Sequence, residues 1–286
     1  MPPAVPGDEQ RYAALFEKIR AAFERRFVRE DGFVAGADNG RSRFDSETPN
    51  AINLAEDTQT GYVLALHMNL VPQSVRAQAA QRLADKIEAN HGLLATGFLG
   101  TPYLLEELTR SGHLKLAYQL LMNTEYPSWG YLVDHGATTM WERWNSDQMK
   151  EDPSMNSYNH YAYGAVADWI YRYAAGIDAS PLDAGFHTIV LHPSFDARLG
   201  TVNFDYASSY GPIHSDWRVD GSTAEWHLTI PANSTGVLEL TQAEAGKYKL
   251  SGVPLARSKF VKPLTRDGLN GYELASGSYS FEVTID

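Results

Sequence analysis

Apolar residues recur at helical spacing over roughly residues 8 to 176, as in Tyr12, Leu15, Phe16, Ile19, Phe23 and Phe27, and again in Val75, Ala79, Leu83 and Ile87. A period near 3.6 is the mark of amphipathic helices. Start and stop signals cut this region into roughly six of them. Pro72 lies just inside one start, Thr101-Pro102 reads as an N-cap with proline in the first turn, and Gly112 ends the helix that follows. Short linkers between the segments imply antiparallel helical hairpins. After Gly176 the period changes to two, over His187–His192, Thr201–Tyr210, Ile213–Val219, Ala224–Ile230, Gly236–Leu240 and Ser278–Ile285. Clusters of Pro, Gly, Asn and Asp separate these runs, which predicts an antiparallel β-sandwich. Asp178-Ala179-Ser180-Pro181 reads as a connector, so the expected domains are 8–177, helical, and 178–286, all-β. No internal repeat and no low-complexity tract interrupts either.

Composition narrows the class. With 43% hydrophobic and 21% charged residues among 286, the chain can bury a substantial core. A formal charge of −11 argues against nucleic acid or an anionic membrane as partner, because neither phosphate-rich surface attracts an acidic protein. No apolar run is long enough to span a bilayer, and Met1–Gly7 lacks the basic-then-apolar pattern of a signal peptide. The compartment stays open between cytosol and periplasm. The absence of cysteine removes disulfides, thiolate catalysis and Cys-ligated metals together.

Candidate chemistry collects in two long loops of the helical half, 90–102 and 126–159, which are rich in Gly, aromatic and polar residues. Loops placed by a rigid scaffold are where function concentrates. The segment from Gly136 to Asn145 sets Glu142 between Trp141 and Trp144. A carboxylate walled by indoles suits a protein that grips a sugar's apolar face and moves a proton beside it. The plainer reading makes Glu142 a helix cap or a partner of Arg143. Trp129 and Tyr131 add flat surface, and Asn156, Asn159 and His160 add polar groups. Core filling is the competing use of any buried Trp, and it is the preferred one for Trp169, which shares a helical stripe with Val166, Ile170 and Tyr173. His160 is expected in the first turn of a helix running to Ala175, capped by Asn156 or Ser157, where a hydrogen-bonded structural role competes with a functional one.

Other chemistries lack an anchor. Ser128 in Pro-Ser-Trp-Gly does not form a nucleophile elbow, no glycine-rich phosphate loop follows a strand, and the histidines show no metal-ligand spacing. No metal and no cofactor is therefore expected. Asn233-Ser234-Thr235 matches a glycosylation acceptor, but a turn is the expected use.

An ordered series of motifs over about residues 10 to 285 carries a resemblance. It runs Thr58-Gln59-Thr60, Thr96-Gly97-Phe98-Leu99-Gly100-Thr101, Tyr126-Pro127-Ser128-Trp129-Gly130, Gly136 to Trp144, Asn156 to Gly164, and Ile230 to Thr235. In these segments the chain resembles the C-terminal part of bacterial α-L-rhamnosidases, glycoside hydrolase family 78. The resemblance implies a multidomain α and β fold: an (α/α)6-type toroid of helical hairpins, present here as about half, followed by an antiparallel β-sandwich. It implies hydrolysis of terminal α-L-rhamnosyl units with inversion, on a rhamnose-containing glycoside or oligosaccharide. By the same resemblance Glu142 is the general base that activates water and His160 contacts the sugar; the composition of the aromatic loop adds Trp129, Trp141 and Trp144 as residues expected to shape the subsite.

Inversion needs a second carboxyl group as general acid, about 6.5–9.5 Å from the base. The family's acid lies in an upstream Asp- and Arg-rich segment with a following Trp, which residues 1–57 do not reproduce. Asp45 and Glu47 are only superficial candidates, placed just before Thr58 with the wrong neighbours. The expected partner is then a missing N-terminal half or a second subunit. The alternatives are a non-catalytic carbohydrate-binding or assembly module and a purely structural remnant.

Overall fold

The computed structural model describes residues 7–35, 57–149, 155–181, 183, 185–266 and 269–285. Asp45 and Glu47 lie outside them. The chain divides into two compact units, Met1–Val166 and Ala167–Asp286.

The first unit is helical: α1 (Asp8–Phe27), α2 (Gln59–His67), α3 (Arg76–Ala89), α4 (Thr101–Arg110), α5 (Leu114–Met122) and α6 (Trp129–Asp134). Short polar side chains set the starts. Thr58 accepts from the Gly61 N–H ahead of α2, and Ser128 accepts from the Tyr131 N–H ahead of α6, each at 3.0 Å. The α4 start differs from expectation by one residue. Gly100 precedes the helix, and the Thr101 hydroxyl meets Thr96 at 2.8 Å instead of capping. Pro72 stands before a 3₁₀ turn, Gln73–Val75, that leads into α3.

The core of this unit joins Tyr62 and Leu66 of α2, Leu83 and Ile87 of α3, Leu104 and Leu108 of α4, and Tyr118 and Leu120 of α5, all essentially inaccessible. Burying side chains of this size contributes about 1.5–3 kcal/mol each. Glu107 is also fully buried; Arg76 at 3.1 Å compensates its charge, and His67 Nδ1 lies within hydrogen-bond distance at 3.3 Å. α1 behaves differently. None of its residues is buried, and Tyr12, Leu15, Phe16 and Ile19 stand 38–57% exposed along one stripe.

A short α-helix, Val166–Trp169, leads into the second unit and continues as a helical turn, Ile170–Ala174, wound with the wider π spacing. Among the described residues eleven strands follow in two sheets: β1 (Ile177–Ala179), β2 (Thr188–Leu191), β3 (Thr201–Ser208), β4 (Gly211–Asp220), β5 (Thr223–Ile230), β6 (Thr235–Glu239), β7 (Tyr248–Leu250), β8 (Val253–Pro254), β9 (Val261–Arg266), β10 (Leu269–Leu274) and β11 (Gly277–Thr284). The sheet orders are β1-β2-β6-β10-β9 and β3-β4-β5-β11-β7-β8. Named pairings are antiparallel except β2 with β6, which is parallel.

Between the sheets lie Ile189, Leu191, Ile213, Trp217, Trp226, Leu228, Leu238, Leu274 and Phe281. Polar atoms inside are paired. Trp217 Nε1 donates to Ala174 O at 2.7 Å, Ser215 Oγ to Ala175 O at 2.6 Å, and Trp226 Nε1 to Ser215 Oγ at 2.9 Å, which ties the helical turn to the sheet.

Two strand expectations need correction. Ile177–Ala179, read as part of a connector, is β1 and pairs with β2. Residues 248–274 carry no clear alternation yet supply β7 to β10. The reasons are local: β7 and β8 are very short, and Pro263 sits in β9, a sheet edge where a missing N–H is tolerated. Gly271, at φ 141°, brings β10 so close to β6 that an added Cβ would lie 1.9 Å from Leu238 O. Asn233 at φ 63° makes the expected turn, with Ser234 Oγ donating to Phe186 O at 3.1 Å.

Candidate active site

Two extended segments carry the central residues, and they are hydrogen-bonded to each other. Glu142 N donates to Ser157 O and His160 N donates to Met140 O, both at 2.8 Å. Thr139 Oγ1 adds a bond to Tyr158 O. This pairing brings together residues far apart in sequence, because each segment satisfies the other's backbone in the absence of a helix or sheet. His160 is consequently not in a first helical turn. Helical structure resumes only at Ala162, with the 3₁₀ turn Ala162–Ala165. Neither Asn156 nor Ser157 caps it. Asn156 Nδ2 donates to Ser146 O and Met149 O, each at 3.2 Å, and the Ser157 backbone faces Glu142.

Glu142 is buried, at 8% exposure. Its Oε2 accepts from the Ser157 N–H at 2.8 Å, while among the described residues Oε1 takes no hydrogen bond. The plainer pairing with Arg143 does not form. That guanidinium donates from Nε to Met155 O at 2.8 Å and from Nη1 to the Met149 sulfur at 3.0 Å. A carboxylate with one oxygen fixed by a backbone donor and the other unengaged is oriented without being consumed by a salt bridge.

Aromatic rings connect the rest. Trp129 Nε1 donates to Tyr163 O at 2.9 Å, and its ring meets Trp144 edge-on at 5.5 Å between centroids. Trp144 stacks on Tyr163 at 3.8 Å, Tyr163 tilts against Phe98 at 5.3 Å, and Phe98 stacks on His160 at 5.0 Å. Trp129, Trp144 and His160 thus belong to one continuous aromatic group. Trp141 joins the neighbouring segment through an edge contact with Tyr158 at 5.6 Å. Burial, reinforced by the nearby Tyr126, raises the Tyr163 phenol above its ordinary range, so it stays neutral and packs as an apolar ring.

Side-chain pattern gives Phe98 and Tyr163 no role of their own, and it offers Ser157 only as a helix cap. Phe98 lies in the Thr96–Thr101 motif, and Ser157 contributes only main-chain atoms, which side-chain chemistry cannot reveal. The Phe98 loop is pinned from α2: Gln59 Nε2 donates to Leu93 O at 3.1 Å, and Gln59 Oε1 accepts from Ala95 N at 2.7 Å. Among the described residues no cluster of three or more His, Cys, Asp or Glu could hold a metal ion, and no helix is long and apolar enough to cross a membrane.

Comparison with known proteins accounts for both units. Residues 4–174 match the bacterial alpha-L-rhamnosidase 6 hairpin glycosidase domain, and residues 176–253 match the bacterial alpha-L-rhamnosidase C-terminal domain. The chain belongs to the bacterial α-L-rhamnosidase family. It is 38% identical over 279 residues to an α-L-rhamnosidase of Streptomyces avermitilis and 34% identical over 280 residues to one of Formosa agariphila. Each match covers 96% of this chain but only 24% and 28%, respectively, of those relatives. Among solved structures, the S. avermitilis α-L-rhamnosidase complexed with L-rhamnose superimposes with a TM-score of 0.76 at 37% identity, over 96% of this chain and 24% of that one. The Dictyoglumus thermophilum α-L-rhamnosidase gives 0.75 at 28% identity, over 98% and 29%. This rhamnosidase-family chain therefore spans about a quarter of the length of its curated relatives.

Proposed function

We propose that the chain carries the general base and part of the sugar subsite of an inverting α-L-rhamnosidase, and that the general acid comes from elsewhere. Glu142 Oε1 takes a proton from water, the water oxygen bonds to the anomeric carbon from the face opposite the aglycone, and the glycosidic C–O bond breaks. The departing oxygen must receive a proton from a second carboxylic acid, and none is assigned here. His160 donates to the sugar, and Trp129, Trp141 and Trp144 shape its apolar side. The helical region 8–177 is then a portion of the toroid, completed by an N-terminal half or a second subunit, and 178–286 is its sandwich.

The observation that carries this reading is Glu142: buried, held at one oxygen by the Ser157 N–H, and with no hydrogen bond at the other among the described residues. The rhamnose complex of the S. avermitilis relative supports the sugar assignment. The test is hydrolysis by the chain alone. Without the acid, natural rhamnosides should turn over at least about 10²–10⁴-fold below an intact enzyme. Residual activity should favour nitrophenyl leaving groups, which need little protonation, and Glu142→Gln should remove it. Turnover of natural rhamnosides at ordinary rates of about 1–10³ s⁻¹ would show that an acid lies within the chain. Asp45 and Glu47 would then be the first residues to substitute. One observation favours a second reading, a non-catalytic assembly or carbohydrate-binding module: the exposed apolar stripe of α1 is a surface suited to association.

A further inference from the structure

The imidazole of His160 is constrained on three sides. Its Nδ1 accepts from the Ala162 N–H at 3.3 Å. One ring face stacks on Phe98, with centroids 5.0 Å apart and planes 22° from parallel, and the Tyr161 ring stacks at 5.3 Å and 14°. The residue's own N–H is held by Met140 O. Among the described residues Nε2 takes no hydrogen bond.

A neutral imidazole has one N–H and one lone pair, and the partner of either nitrogen decides which is which. With a backbone N–H pointing at Nδ1, the lone pair must be there and the proton on Nε2. The reversed ring would place a C–H against the Ala162 N–H. That donor belongs to a buried residue opening a helical turn, where N–H groups have no intrahelical partner, and stranding it disfavours the reversed ring by roughly tenfold. We infer that His160 is fixed as its Nε2–H tautomer, presenting a hydrogen-bond donor outward, and that Phe98 is the positioning residue that holds the ring plane in which Nδ1 faces the Ala162 N–H. Gln59 makes Phe98 a rigid support, because it anchors the loop preceding it at both Leu93 and Ala95.

The consequence for ligand chemistry is directional. A fixed Nε2–H recognises a lone pair, as on a sugar hydroxyl or ring oxygen. The identification of that acceptor as rhamnose rests on the proposed function; the tautomer does not.

The experiment is long-range ¹H–¹⁵N correlation NMR of the ¹⁵N-labelled full chain at mildly alkaline pH, with the His160 signals assigned by their loss in His160→Gln. The expected spectrum shows an Nε2–H pattern with an acceptor-type Nδ1, in roughly tenfold excess over the other tautomer. Phe98→Ala should lower that ratio several-fold, and Phe98→Tyr should restore it. An Nδ1–H pattern in the native chain overturns the inference without any variant, and so does an unchanged ratio in a folded Phe98→Ala chain. An Nε2–H pattern in a chain lacking all rhamnoside hydrolysis upholds the tautomer and counts only against the catalytic reading.

Discussion

Trp217 and Trp226 in the sandwich are 1% and 0% exposed, and Trp129, Trp141 and Trp144 in the aromatic loop are 7%, 4% and 6% exposed, so burial barely separates the two groups. Their surroundings do. Trp217 and Trp226 pack among aliphatic residues and Phe281, and their indole N–H groups are satisfied by Ala174 O and Ser215 Oγ. The loop tryptophans share their segments and aromatic contacts with Glu142 and His160, where among the described residues Glu142 Oε1 and His160 Nε2 take no hydrogen bond. The sandwich indoles lie among satisfied groups, whereas the loop segments keep polar atoms that have no partner among the described residues. Chemistry is therefore located by the polar atoms left over, and the amount of apolar area buried says little about it.

The sharpest way to break this contrast is Glu142→Gln. In any preparation that hydrolyses an aryl α-L-rhamnoside, the rate should fall by about 10²–10⁴-fold. The thermal midpoint should hold, because the amide keeps its acceptor toward Ser157. A large loss of stability with intact activity would make Glu142 a core group like its neighbours.

Trp217→Ala is the converse. It should cost about 3–5 kcal/mol in chemical denaturation, through the cavity and the stranded Ala174 carbonyl. A cost below about 1 kcal/mol would mean that the sandwich does not depend on this indole.

A smaller, pH-dependent effect tests the core of the helical unit. Burial, and then the 2.8 Å hydrogen bond to Asp57, push the Tyr62 phenol up to about 12. The folded state thus holds its proton more tightly than the unfolded chain, whose phenol titrates near 10. That stabilisation is complete below pH 10 and is lost as pH rises through about 12. Tyr62→Phe should flatten the fall in unfolding free energy across this window. Identical slopes in the two proteins would remove Tyr62 from the account.

The smallest effect is expected on α1. Ile19→Glu, on the exposed stripe, should change unfolding free energy by no more than about 0.5 kcal/mol, while reducing any self-association seen by sedimentation. A cost comparable to that of a core substitution would show that the stripe is covered after all.

The order and type of the main elements are legible in the sequence, because period is a local property. Tyr12 to Phe27 can present one face only as a helix, and Ala224 to Ile230 only as a strand. The ordered motifs likewise carry the family, since they record residue types at fixed spacing. Glu142, His160 and the tryptophans could be nominated because few combinations of carboxylate, imidazole and indole crowd one loop by chance. What tertiary structure alone decided is which atoms of those residues are engaged. The Ser157 N–H on Glu142, the Ala162 N–H on His160, the Phe98 ring and the parallel β2–β6 pairing all join positions whose partners are main-chain atoms or distant segments. A backbone N–H is the same at every non-proline residue, so no pattern of side chains announces where one will point. Only closing the chain on itself determines that.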